Sequence, residues 1–372
     1  MDAVPPLMPS SHKVPVTWLL EHAGPSIRVR LATEVFPGLL GAEEVAGLRS
    51  EVEALPSTKQ ILKKQKDTGS WGNNLLATAP NKTSGIKDAG TIPQFRRLLE
   101  LGLTADHRAI RIGSRVLYRL VSRDADPKLL MEYEKYSVSE PGSEPWIRTV
   151  VREAAAAALA HAGFSDDPRV RGAAHKILNE VSQFLRSEMA QDPFVRSGRA
   201  WILNPLAYPP TVFSVGLLSR LPAVQRERAV LVERIGAYLG APAPKKAFSV
   251  ALGKKTLKPA FLLLGDPIHA AANGQVDDLP YALWWMETLA QLGCLHQSQS
   301  ASRVWARLVK ECDGAGVWWP KNVRSQPKST SPWAWHAFPL DADGKKQESR
   351  LTDVTFRMAL IARLAGWELQ QA

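Results

Sequence analysis

The side chains of this sequence best suited to chemistry are aromatic, basic and imidazole groups. Eight of the twelve tryptophans lie after residue 280, among them Trp284, Trp285, Trp318, Trp333 and Trp335. Indole faces around a cavity could stabilise positive charge through their quadrupole or hold a long apolar ligand. Neighbouring Trp residues on a helix point about 100° apart, so one of each pair can equally well pack between helices. His336 follows Trp335 in a Gly/Pro/Trp-rich stretch, where a neutral imidazole would accept a proton from a cationic intermediate. Arg111, Arg115, Arg119 and Arg123 recur every four residues, with Arg108 three before the first. On a helix they form one slowly drifting face opposite Gly113, Val116, Leu117 and Leu120. Such a stripe, with Lys63, Lys64, Lys66, Lys245, Lys246, Lys254, Lys255 and Lys258, suits nucleic-acid phosphates, a diphosphate or a peripheral membrane surface. The same stripe also reads as a solvated outer face.

Metal and cofactor chemistry find less material. Cys294 and Cys312 are the only cysteines, and no two of the eight histidines have the i, i+4 spacing of a helical metal site. Phosphate-loop and G-x-S-x-G patterns are absent. The expectation is therefore no metal and no cofactor. The 372 residues carry 47 Lys plus Arg against 36 Asp plus Glu, a formal charge of +11, with 45% hydrophobic residues. That composition excludes a disordered chain and allows a sizeable core. No secretory h-region occupies residues 1–13 and no apolar stretch is long enough to span a bilayer, so a cytoplasmic or membrane-peripheral protein is expected.

The elements that must position these groups read as helices. Apolar residues recur at helical spacing over 16–34, 43–54, 91–101, 107–121, 146–162, 168–187, 211–219, 224–239, 279–292, 300–311 and 349–365, whereas alternating strand-like runs are scarce. Pro/Gly/Lys-rich connections cover 69–90, 192–210, 240–274 and 313–346. An internal repeat organises the helices. Gly102 and Gly163, 61 residues apart, each end a helix, and a Ser/Thr/Asp turn and a second helix follow. Weaker echoes occur at Gly24, after Leu292-Gly293 and at Leu364-Ala365-Gly366. Stacked helical hairpins form either an open solenoid or a closed double ring.

One turn bears on that choice. Gln65-Lys66-Asp67-Thr68-Gly69-Ser70-Trp71 has the form Q-x-x-x-G-x-W, and Gly316-Val317-Trp318 repeats its last three positions. This resembles the QW-type motif of the terpenoid cyclase and protein prenyltransferase superfamily, whose members are (α/α) toroids. The resemblance spans about residues 60 to 370 and implies an all-α toroid over 59–372 with an N-terminal helical extension over 1–58. It also implies an apolar, isoprenoid-like ligand in an aromatic central cavity, walled by Trp284, Trp285, Trp318, Trp333 and Trp335. Squalene-type cyclases protonate an alkene from a D-x-D-D motif opening an inner helix; here Gln275-Val276-Asp277-Asp278 opens the helix at 279, with Gln275 in place of the first carboxylate. The resemblance casts Asp277 as general acid with Asp278 beside it; alternatively both are carboxylates favoured by the helix dipole. The zinc ligands of the prenyltransferases are not matched. Phe356 follows Asp353-Val354-Thr355 where a His is required, and Gly293-Cys294-Leu295-His296 lacks the adjacent Cys-His of the lanthionine cyclases. Read instead as an open HEAT-like solenoid, the chain resembles helical-repeat DNA-binding proteins acting through Arg108 to Arg123.

Overall fold

The computed structural model describes residues 8–76, 89–122, 124–134, 142–258, 260–342 and 346–372. Helices dominate, in agreement with the periodicity, but the all-α expectation needs correction because two small sheets are present. Strand β1 (Ser11–Val14) pairs in parallel with β6 (Glu368–Gln371). The other sheet has the order β2 (Phe194–Ser197), β3 (Ala200–Leu203), β4 (Phe248–Leu252), β5 (Lys255–Leu257). Its two hairpins turn through Gly198 and Gly253, both at positive φ, which a glycine adopts without strain. These strands occupy stretches expected as plain connections.

Two kinds of helix alternate along the chain. Buried on nearly every side are α5 (Thr91–Glu100), α7 (Ser143–His161), α9 (Val212–Ser219), α12 (Leu279–Gln291) and α14 (Thr352–Leu364). Helices apolar all round belong in a protein interior. Between them lie helices with one buried stripe: α3 (Ala42–Ala54), α6 (Arg108–Val121), α8 (Pro168–Arg186) and α13 (Gln299–Glu311). Each buried helix touches the next: α5 packs on α7, α7 on α9, α9 on α12 and α12 on α14. Helix α14 then meets α2 (Pro25–Arg30) and the π-helical turn Leu31–Val35 that continues it. The chain at 16–34, expected as one helix, is thus broken into α1 (Val16–His22), α2 and this turn. Side chains of the segment expected as an extension, Val14, Leu19 and Ile27, share a core cluster with Phe356 and Leu360 of α14.

The glycines of the repeat have a common job. After α5, α7, α12 and α14 stand Gly102, Gly163, Gly293 and Gly366, with φ of 104°, 89°, 70° and 74°. In each case the following residue donates its N–H back into the helix: Leu103 to Leu98, Phe164 to Leu159, Cys294 to Leu289 and Trp367 to Ala362, at 2.9–3.1 Å. These are Schellman caps, which satisfy the orphan carbonyls of a helix end. Helix α9 departs from the pattern: after its C-cap Arg220 comes Leu221, with φ −122°, where the others place glycine.

The Q-x-x-x-G-x-W turn is tied to three helices. Gln65 Nε2 donates to the Ala109 carbonyl in the first turn of α6 at 2.8 Å, Trp71 Nε1 donates to the Ile61 carbonyl at 2.8 Å, and the Trp71 N–H donates to Thr91 Oγ1 on α5 at 3.1 Å. At 312–318 the arrangement recurs: Cys312 takes the Gln position in an equivalent bridge, Trp318 Nε1 donates to Glu311 Oε2 at 2.8 Å, and the Trp318 N–H donates to Thr355 Oγ1 on α14 at 3.1 Å. Gly69 has φ +92°, and a Cβ there would overlap the Ile112 carbonyl oxygen. Gly69→Ala is therefore expected to lose about 1–3 kcal/mol of unfolding free energy. A urea titration in which the variant keeps its midpoint would contradict this.

Candidate functional site

The buried helices carry charges aimed at one region. Arg96 and Glu100 sit one turn apart on α5, Trp284 and Glu287 on α12, and Asp353 and Arg357 on α14, while Arg30 and Glu34 follow α2 into its π-helical turn. Arg30 Nη1 reaches Glu100 Oε2 at 2.6 Å, and Arg357 joins Glu100 at 2.8 Å to Glu287 at 2.5 Å. Burial pushes the Glu100 carboxyl up, but Arg30 and Arg357 overcome this and hold it well below the usual range. For Glu287 burial wins over Arg357 and its pKa rises; Asp353 likewise rises through burial, despite bonds from the Leu340 and Asp341 N–H groups. Five guanidiniums (Arg30, Arg96, Arg97, Arg220, Arg357) thus face four carboxylates (Glu34, Glu100, Glu287, Asp353), two of which burial drives towards neutrality. The interior is electropositive.

Three of these arginines have no ion pair among the described residues, and one of them, Arg97, donates to the His336 and Pro339 carbonyls instead. Burial pushes Arg96 down to about 10, and its contact is the Trp284 face, 5.9 Å from the ring centroid. Arg220 is also lowered by burial, and its side chain has no hydrogen bond or ion pair among the described residues. Arg220 lines a cavity of about 320 Å³ with Arg30, Arg49, Glu34 and His161, where α5 and α7 end at Gly102 and Gly163. Glu34 is already engaged, since both its oxygens accept from Arg30 at 2.6 and 2.8 Å. Arg49 leaves Nε without a partner. His161, neutral because burial and Arg220 depress its pKa, lies 3.5 Å from Glu100 and leaves Nδ1 unbonded. The cavity therefore offers guanidinium N–H donors and no free carboxylate among its lining residues.

The residues singled out from the sequence are dispersed. His336 lies in the interior, 5.6 Å from the Trp284 ring and edge-on to it; burial and the Arg96 charge push its pKa well below the ordinary value, and Nε2 has no partner. Trp285 is wholly buried. Trp333 stands edge-on to Phe213 and Phe261 and donates Nε1 to the Ala260 carbonyl at 3.0 Å; Trp335 is half-buried. Trp318 clamps its turn. Asp277 is exposed to solvent, outside any apolar pocket of the kind an alkene-protonating acid requires. Asp278 caps α12, accepting from the Tyr281 N–H at 2.8 Å, and its other oxygen gathers Ser329, Thr330 and Ser331. Arg108, Arg111, Arg115 and Arg119 are exposed on α6, Arg119 paired with Asp124 at 2.7 Å and Asp126 at 3.1 Å. Arg123 lies outside the described residues.

A second polar centre escaped the sequence reading. Glu153, in the alanine-rich run of α7, is 1% exposed and accepts from Thr211 Oγ1, the N-cap of α9, at 2.6 Å and from Tyr208 Oη. Burial pushes it up to about 7, against these two hydrogen bonds. It lines a cavity of about 250 Å³ with Trp146, Val150, Tyr208 and Phe261.

Comparison with protein-family models, curated proteins and solved structures finds no match in any of the three. Among the described residues no group of three His, Cys, Asp or Glu side chains could hold a metal, and no helix is long and apolar enough to cross a membrane. Burial raises both thiols, Cys294 to about 11 and Cys312 to about 12. Neither is a ready thiolate.

Proposed function

We propose that the circuit of buried helices is an (α/α) toroid whose electropositive interior binds a small anionic ligand through Arg220 and Arg49, with Arg96 and Trp284 behind them. The observation carrying this reading is the cavity of about 320 Å³ lined by Arg49 and Arg220, neither of which has an anionic partner among the described residues. A desolvated guanidinium is costly unless paired, and an incoming phosphate or carboxylate would supply the missing charge with bidentate geometry. The resemblance of the Gln65–Trp71 turn to the terpenoid cyclase and prenyltransferase motif adds an expectation about the rest of the ligand, an apolar isoprenoid tail. The reading gives Asp277 no role.

Calorimetric titration with inorganic diphosphate and farnesyl diphosphate tests it. Binding of both is expected, tighter for the prenylated compound, and weakened about ten- to a hundredfold by Arg220→Met, the worth of a charge-assisted hydrogen bond. Absence of binding, or affinity unchanged in Arg220→Met, would remove the anion site. Equal affinity for the two ligands would remove the tail.

A second reading rests on α6. Arg108, Arg111 and Arg115 are exposed and engage no acidic side chain among the described residues. If this face binds nucleic acid, affinity must fall steeply with salt and lose slope in Arg111→Gln/Arg115→Gln. Salt-independent retention would exclude it.

A further inference from the structure

We propose that the cavity beside Glu153 is a binding site for a small organic ammonium ion. Glu153 has two hydroxyl donors, Thr211 and Tyr208, but no cationic side chain lies within ion-pair distance of it among the described residues. Arg152, the preceding residue, lines not this cavity but a neighbouring one that shares Thr149 and Tyr208 with it. A buried carboxylate supplied only with neutral donors lacks the opposite charge that would stabilise its ionised form. Glu153 opens onto a walled space that could admit that charge.

The walls select for an organic cation. Trp146 and Phe261 lie 5.5 Å apart with their planes inclined at 42°, and Tyr208 completes an aromatic lining around the carboxylate. Aromatic faces attract ammonium groups through the ring quadrupole, most strongly where water is excluded. A bare metal ion would require further carboxylate, imidazole or thiolate ligands, and Glu153 is the only such side chain in the cavity lining among the described residues. At about 250 Å³ the space is smaller than drug-sized pockets, so the ligand is small. The site is separate from the arginine-lined cavity, with which it shares no lining residue, and carries the opposite charge.

Choline and its uncharged carbon isostere, 3,3-dimethylbutan-1-ol, provide the test, because they match in shape and differ in charge. Tryptophan fluorescence and calorimetry on the full chain should register choline binding at least tenfold tighter than binding of the isostere. Glu153→Gln, which removes the charge at nearly constant shape and retains one oxygen to accept from either Thr211 or Tyr208, should abolish that preference while leaving the far-ultraviolet dichroism unchanged. Should this variant fail to fold, Trp146→Leu keeps the carboxylate and should weaken choline severalfold while leaving the isostere less affected. Failure of choline and of propylammonium to bind would overturn the proposal, as would equal binding of choline and its isostere or full affinity in Glu153→Gln.

Discussion

Arg357→Met should unfold at a lower urea concentration than the wild type, with a loss of about 3–5 kcal/mol, the cost of breaking a buried ion pair by removing one partner. Arg357 has no exposed surface and divides its guanidinium among Glu287 at 2.5 Å, Glu100 at 2.8 Å and the Ala337 carbonyl at 2.7 Å. Methionine fills much of the volume and offers none of these donors. Glu100 would still hold Arg30, but Glu287 would be left a buried carboxylate without a partner and would take up a proton. The double variant Arg357→Met/Glu287→Gln should therefore recover part of the loss, because it removes the stranded charge as well. Arg357→Lys should rescue poorly, since one ammonium cannot reach three acceptors fixed by a planar fork. A single variant within about 1 kcal/mol of wild type would mean that the ion cluster contributes little to holding α5, α12 and α14 together.

The second large effect is a dependence on pH centred on Glu153. Its pKa is raised from the ordinary 4.5 to about 7, so between these values the native state binds a proton that the unfolded chain has released. Stability from this group is present at acid pH and is lost as pH rises towards 7; the span corresponds to roughly 3 kcal/mol. Glu180 on α8 acts in the same direction, disfavouring the charged form, while Thr211 and Tyr208 oppose it. His12, pushed down by burial to about 4, and the depressed His161 and His336 pull the other way, because the unfolded chain protonates them near 6.5 while the native state does not. The whole-protein curve mixes these trends. The stability difference between Glu153→Gln and wild type isolates one of them: it should shift in favour of the variant by roughly 3 kcal/mol from pH 4.5 to pH 8. A pH-independent difference would show that Glu153 titrates as an ordinary carboxyl.

Helix positions were largely legible because the apolar period is strong, and the repeated glycines marked helix ends that prove to be Schellman caps. The Gln65–Trp71 turn could be read because its parts are adjacent in sequence. The charged interior could not, since its members come one or two at a time from separate helices. A signal was nevertheless present: Glu287 is the only charged residue in Leu279–Gln291, and Arg220 is a charged residue directly after the otherwise apolar and small Val212–Ser219. Adjacent carboxylates drew attention to Asp277, which is exposed, while Glu153 was hidden in a run of alanines. The four-stranded sheet was missed because its strands have three to five residues each, too few to show an alternation, although Gly198 and Gly253 marked the turns.

The parallel pairing of β1 with β6 imposes an order of events during synthesis. Ser11 aligns with Glu368, so the two partners leave the ribosome separated by every residue between them. Until then Val14, Leu19 and Ile27 have no Phe356 or Leu360 to cover them, and Glu100 has Arg30 but not Arg357. The nascent polypeptide must carry an exposed apolar seam and a half-neutralised interior until Phe356, Arg357 and Leu360 have been made. Such seams are what chaperones bind. Docking of α14 on α2 is then a long-range step, whose loop-closure entropy must be met before its contacts form.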